Sequence, residues 1–88
     1  MSEHELKTWP CYFELLSNGT KRFEIREDDR RFGVGDLLLL REWDRETELY
    51  SGREMKARVT YLTTFMQQPG YVVMGIQPVA EGGDTDAE

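Results

Sequence analysis

The apolar residues of this chain follow helical spacing in one place only, and that run is short. Trp9, Phe13 and Leu16 recur on one helical face, with Leu15 widening the stripe. Pro10 suits a first helical turn, where its missing N–H matters least, and Asn18-Gly19 supplies the stop. The result is a helix of about two turns, too short to persist unless it packs on a sheet. The rest of the chain therefore has to be strand and turn.

The remaining pattern supports that. Glu5 to Thr8 reads as a first strand and Arg22 to Arg26 as a second, alternating one. A charged turn from Glu27 to Arg31 leads to Phe32-Gly33-Val34-Gly35-Asp36, whose glycines permit sharp turns. Leu37 to Leu40 follows, too few residues for a helix, and reads as a strand buried on both faces. Asp44 to Gly52 reads as a polar connection. Met55, Ala57, Val59, Tyr61 and Thr63 then alternate with Lys56, Arg58 and Thr60, which predicts a long strand with one face covered. Gln67 to Gly70 is a turn, and Tyr71 to Ile76 is the last strand. Five strands with so little helical cover predict a mostly-β (α+β) fold. Its expected form is a small, strongly curved five-stranded sheet or β-barrel with the helix plugging one end or side.

Composition narrows the function classes. With 88 residues the chain is expected to form one domain, residues 1–79, with a modest core. The single Cys11 excludes an internal disulfide framework, and the lone His4 removes the usual histidine metal clusters; no metal or cofactor is expected. No apolar run approaches the roughly 20 residues of a membrane span, and the N-terminus lacks a signal-peptide pattern, so a cytoplasmic protein without a membrane partner is the default expectation. Four acids and no base in residues 80–88 account for four of the six net negative charges, leaving −2 on the rest. That segment cannot bury enough apolar surface to order itself and reads as a disordered acidic tail. Even without it, the domain lacks the basic excess of a non-specific nucleic-acid binder, so any such contact has to be local.

The chemistry concentrates between Gly19 and Arg26. In an extended strand alternate side chains share a face, so Phe23 and Ile25 are expected to enter the core while Glu24 and Arg26 project together from the other side. Lys21 stands at the start of that strand. An arginine fork can hold a phosphate or a base edge, a glutamate can accept from an exocyclic amine, and a lysine supplies a point charge. The alternative is a solvated strand face with an ordinary ion pair. Lys7, on the first strand, is expected near the mouth of a small barrel; His4 fits either that strand or a loose chain end. Core packing is the expected use of Trp9, whereas Trp43 suits either core or base stacking. Cys11 reads as a small buried hydrophobe. The mixed-sign cluster of Arg22, Arg26, Arg30 and Arg31 amid acids reads as a solvated turn.

The order Gly19, Lys21, Glu24, Arg26 resembles the glycine-x-lysine-x-x-glutamate-x-arginine signature of the ASCH superfamily, whose fold is PUA-like. The Val34-Gly35-Asp36 turn and the Tyr71 to Ile76 strand are similar as well. The opening His4 to Pro10 and the Leu40 to Asp44 segment look like a compact bacterial and phage branch, domain of unknown function 3850. The resemblance implies a small barrel with a cleft beside the helix, lined by Lys21, Glu24 and Arg26 with Lys7 in support, that accepts RNA or a nucleotide-like ligand. One ASCH branch hydrolyses N4-acetylcytidine with a lysine, a threonine and a glutamate. The resemblance therefore also raises a small amidohydrolase using Lys21 and Glu24, although Glu24 stands where that branch has threonine. A protein-binding adaptor working through the tail and the Asp44 to Gly52 segment is the third reading.

Overall fold

The structure is a computed structural model and describes residues 1–80; the acidic tail expected over residues 80–88 lies, from residue 81, outside the described residues. Strand β1 (Glu3–Thr8) leads through helix α1 (Pro10–Ser17) to β2 (Phe23–Glu27), followed by β3 (Leu37–Asp44), β4 (Leu49–Thr63) and β5 (Tyr71–Val79). The five strands form one sheet in the order β1-β3-β4-β5-β2. The mostly-β expectation with one short N-terminal helix is met.

Strand β1 runs parallel to β3, with Glu3 opposite Leu37 and Thr8 opposite Glu42. The other neighbours are antiparallel. The first two strands in sequence therefore occupy the two edges of the sheet. No ladder joins them among the described residues, but the sheet curls until side chains do. The Arg26 guanidinium on β2 donates to the Lys7 carbonyl on β1 at 2.9 Å, and Arg30 donates to the Glu5 carbonyl at 2.6 Å. Those carbonyls lie two residues apart, so they face the same way along the strand. Two arginines thus cap an edge that would otherwise present bare acceptors.

The inward face carries Leu6, Leu38, Leu40, Ala57, Val59, Val72, Met74 and Ile76, with Leu16 of α1 and Phe32 closing over them. Full burial of side chains of this size contributes about 1.5–3 kcal/mol each, which holds an eight-residue helix that could not persist alone. The helix presents Phe13 and Leu16 to the core, ends on a bond from the Asn18 N–H to the Glu14 carbonyl, and turns at Gly19 with φ +85°.

Three expectations change. The segment from Asp44 to Gly52 is not a loose connection: β3 and β4 continue through it and turn tightly at residues 45–48, with Trp43 opposite Tyr50 and Asp44 opposite Leu49. Leu37 to Leu40 is not buried on both faces; Leu38 and Leu40 are fully inside, while Leu37 and Leu39 are half-buried. On β4, the register shifts between Val59 and Tyr61, so Leu62 faces inward beside Met74 and Tyr61 faces out. An extra residue in one strand reverses which face later residues occupy, and simple alternation does not reveal it.

One glycine in the β2–β3 connection is constrained. Gly35 has φ +94°, and its N–H bonds to the Val59 carbonyl at 2.8 Å. A Cβ there would lie 2.9 Å from the Met1 sulfur, a flexible side chain that can move aside. The backbone strain remains, so Gly35→Ala is expected to cost about 1–2 kcal/mol. Urea unfolding would show this as a lower midpoint with an unchanged slope.

Candidate functional site

The gap between the two sheet edges is a cleft of about 450 Å³, within the roughly 300–1,000 Å³ range of small-molecule sites. Lys7, Thr8 and Trp9 form one wall, Phe23 to Arg26 the other, and Tyr12 and Lys21 complete the lining. The two walls come from adjacent parts of the sequence, because α1 carries the chain from one edge of the sheet to the other.

The direction of β2 differs from expectation. Glu24 and Arg26 share a face as the strand period requires, but it is the inward face: Glu24 is 4% exposed, while Phe23 and Ile25 are 43% and 50% exposed. The register with β5 is the cause. Glu24 sits opposite Met74 and Arg26 opposite Val72, both inward residues. Because β2 is an edge strand, its inward face looks onto the gap beside β1, and polar side chains are tolerated there. Edge position therefore outweighs the apolar alternation of Phe23 and Ile25.

Glu24 is the centre of the site. Its Oε1 accepts from Arg26 Nε at 3.0 Å. Its Oε2 lies 3.9 Å from Lys21 Nζ, too far for a hydrogen bond, and is buried with no hydrogen-bond partner. Lys21 Nζ stands 5.0 Å from the ring centroid of Tyr12 and 4.8 Å from that of Phe23. Each such cation–ring contact contributes about 0.5–1 kcal/mol at partly exposed sites. Arg26 meanwhile spans the cleft, donating to the Lys7 carbonyl at 2.9 Å and approaching Thr8 Oγ1 at 3.5 Å. The arrangement is a buried carboxylate with one free acceptor oxygen, two cations beside it and aromatic walls. It can receive a flat polar molecule that donates a hydrogen bond and bears negative charge or acceptors at its edge.

The structure thus brings Lys21, Glu24, Arg26 and Lys7 to one cavity. Sequence reasoning missed Thr8, Tyr12 and Trp9 as lining residues. Trp9 is not in the core; it stacks on Tyr12, with centroids 5.8 Å apart and planes at 16°, and Arg45 lies over its ring at 4.1 Å. The available signal was its position immediately before Pro10, which puts it at the helix mouth rather than on the packed stripe. Cys11 is exposed rather than buried, because α1 turns only Phe13 and Leu16 inward. Arg30, read as part of a solvated turn, is exposed but bonds the edge of β1.

His4 is no loose end. It is buried, its Nε2 is 2.9 Å from Asp36 Oδ2, and its ring meets Phe32 edge-on at 4.7 Å. Asp36 also accepts from the backbone N–H groups of Ser2 and Gly33, both at 2.9 Å. Burial alone would raise this carboxyl; the bonds from Ser2, His4 and Gly33 outweigh it and hold it below the usual aspartate value. This cluster lies outside the cleft lining and is structural. Among the described residues no group of three or more His, Cys, Asp or Glu side chains is placed to hold a metal ion, and no helix is long and apolar enough to cross a membrane.

A protein of Escherichia phage P2, described as "Uncharacterized 12.9 kDa protein in GpA 3'region", is 42% identical over 60 residues, covering 68% of this chain and 53% of the phage protein. The chain spans about half the length of that curated relative. The family model described as "Domain of unknown function (DUF3850)" matches residues 3–76, which include every strand but the end of β5, the helix and the whole cleft. The chain belongs to that family.

Proposed function

We propose that this chain is a binding module whose cleft recognises a nucleotide or a short element of RNA. The observation that carries the reading is the free Oε2 of Glu24, buried in the cleft wall between Lys21 and Arg26 and lacking any hydrogen-bond partner. A buried acceptor left unpaired costs about 1–3 kcal/mol, and a ligand N–H that opens access to it would remove that penalty. A nucleobase offers such a donor on a flat body, next to acceptors that suit Lys21 and the free side of the Arg26 guanidinium. The aromatic rings of Tyr12 and Phe23 fit its faces. The order of Gly19, Lys21, Glu24 and Arg26 supports placing the family within the ASCH superfamily of PUA-like fold.

The test is an NMR titration of labelled protein with the common nucleosides, N4-acetylcytidine and short RNAs. Amide shifts are expected at residues 7–12 and 21–26. Glu24→Gln keeps the shape but exchanges an acceptor for a donor, and is expected to weaken binding about 10–100-fold. A panel that moves no amide in those segments, or a Glu24→Gln protein that binds as wild type does, would remove the proposal.

A second reading, hydrolysis of an acetylated pyrimidine nucleoside, is favoured by the placement of Lys21 3.9 Å from the Glu24 oxygen beside open volume. Glu24 would take a proton from water attacking the acetyl carbonyl and return it to the N4 nitrogen as the C–N bond breaks, releasing cytidine and acetate, with Lys21 orienting the substrate. Acetate appearing in the N4-acetylcytidine tube would establish it.

A further inference from the structure

Five of the eleven lysines and arginines are paired with acids. Lys21, Arg26, Arg30, Arg41 and Arg53 each have a carboxylate within 4 Å. The other six have none among the described residues, and of these Lys7 and Arg45 stand on tryptophan rings beside the cleft. Lys7 Nζ is 4.5 Å from the centroid of Trp43, and the Arg45 guanidinium carbon is 4.1 Å from that of Trp9. Lys7 and Trp9 themselves line the cleft.

The arrangement follows from the parallel pairing of β1 with β3. Lys7 lies opposite Arg41 and Thr8 opposite Glu42, so the segment leaving β1 runs alongside the end of β3. Residues 7 and 9 of one segment meet residues 43 and 45 of the other, and each meeting joins a cation to an indole. An indole holds a cation in place without neutralising its charge, unlike a carboxylate. Lys7 and Arg45 therefore remain available to an anion. On a chain with net charge −6, two unneutralised cations fixed at one mouth of a cleft form a local positive rim.

From this juxtaposition we propose that Lys7 and Arg45 form a phosphate-binding rim, so that the ligand is a segment of single-stranded nucleic acid with one base in the cleft and flanking phosphates on the rim. The inference rests on the nucleotide reading above and narrows it: a free nucleoside satisfies the cleft but leaves the rim empty. Flat aromatic walls inside the cleft favour a base over an acidic side chain, which has no ring to stack.

The experiment compares the four nucleosides with the four homo-trinucleotides, as RNA and as DNA, by tryptophan fluorescence between 50 and 200 mM salt (about the range where counterion effects are read). Trinucleotides are expected to bind at least ~10-fold tighter than nucleosides at the lowest salt, with log K falling against log salt at a slope of about −1.4, or about −0.7 for each of two phosphates. The Lys7→Gln/Arg45→Gln double variant, whose changes are at exposed positions, is expected to bring the slope close to zero and to erase most of the trinucleotide advantage. Thermal unfolding of that variant checks its fold, and each single variant is expected to remove about half the slope. A preference for ribose over deoxyribose distinguishes RNA from DNA.

If nucleosides bind and trinucleotides gain nothing, or if the double variant keeps the slope, the rim is overturned while the cleft reading survives. If no nucleoside or trinucleotide binds, both fall. A hexaglutamate peptide that binds with the same salt slope, where the trinucleotides do not, overturns the nucleic-acid assignment in favour of an acidic polypeptide.

Discussion

Replacing Arg26 with alanine is expected to destabilise the fold by about 3 kcal/mol, the largest effect of any single change in the cleft. The substitution removes the 3.0 Å bond to Glu24 Oε1 and the 2.9 Å bond to the Lys7 carbonyl, one holding a buried charge and the other joining the two sheet edges. Glu24 is then a buried carboxylate with only Lys21 nearby, and that lysine is 3.9 Å from the oxygen it faces. Removing one partner of a buried ion pair costs more than the pair contributes net, because the remaining charge is still desolvated. Neutralising that charge should recover part of the loss. Arg26→Ala/Glu24→Gln is accordingly expected to be about 1–2 kcal/mol more stable than Arg26→Ala alone, a coupling that a double-mutant cycle in urea reads directly. Arg26→Lys keeps the charge but lacks the planar fork needed to reach both β1 and Glu24, and should fall between wild type and alanine. Strictly additive losses in the cycle would mean that the edge contact alone sets the value of Arg26 and that Glu24 is solvated more than its burial implies.

The legible and illegible parts of this fold have different physical origins. The helix from Pro10 and its stop at Asn18-Gly19 were readable because both are local: a proline that needs no N–H, and a glycine that takes positive φ. The strands were readable from alternation, and Lys21, Glu24 and Arg26 were readable as a group because the strand period and a known signature coincide. What sequence could not supply was the neighbour on each side. Whether Glu24 or Phe23 faces inward depends on pairing with β5, some fifty residues away, and on β2 lying at an edge. The same holds for Tyr61, whose outward direction follows from one extra residue near Thr60. Lys7 was expected near the cleft from barrel geometry, but Trp9 and Arg45 were not, since their meeting depends on a parallel β1–β3 ladder between strands far apart in sequence. His4 and Asp36 likewise meet across 32 residues.

That last pair carries the second large expected effect. Asp36→Asn is expected to cost about 3 kcal/mol at pH 7, because an amide cannot accept from the part-buried Ser2 and Gly33 N–H groups and the buried His4 together and leaves a donor unmet. The pH dependence follows from the direction of the shift. The Asp36 carboxyl is held below its ordinary value of 3.8 in the folded protein, so its contribution is present in full above the unfolded value and is lost as pH falls through that value toward the folded one. The gap between wild type and Asp36→Asn should therefore shrink below about pH 4, as the wild-type carboxylate takes up its proton. Urea unfolding at pH 7 and pH 3 would measure it, and an equal gap at both would show that Asp36 acts through shape rather than charge. The consequence reaches the cleft. Asp36 ties the start of β1 to the turn that leads into β3, while Arg26 and Arg30 tie β1 to the other edge. Strand β1 is thus held against β3 by its ladder and at both ends by charged side chains, and it carries Lys7, Thr8 and the chain into Trp9, one whole wall of the site. Loosening its N-terminal anchor should widen the cleft without touching a lining residue. Asp36→Asn is accordingly expected to weaken ligand binding by several-fold while Glu24 and Arg26 remain paired, and a variant with full affinity would place the mechanical control of that wall in the arginine contacts alone.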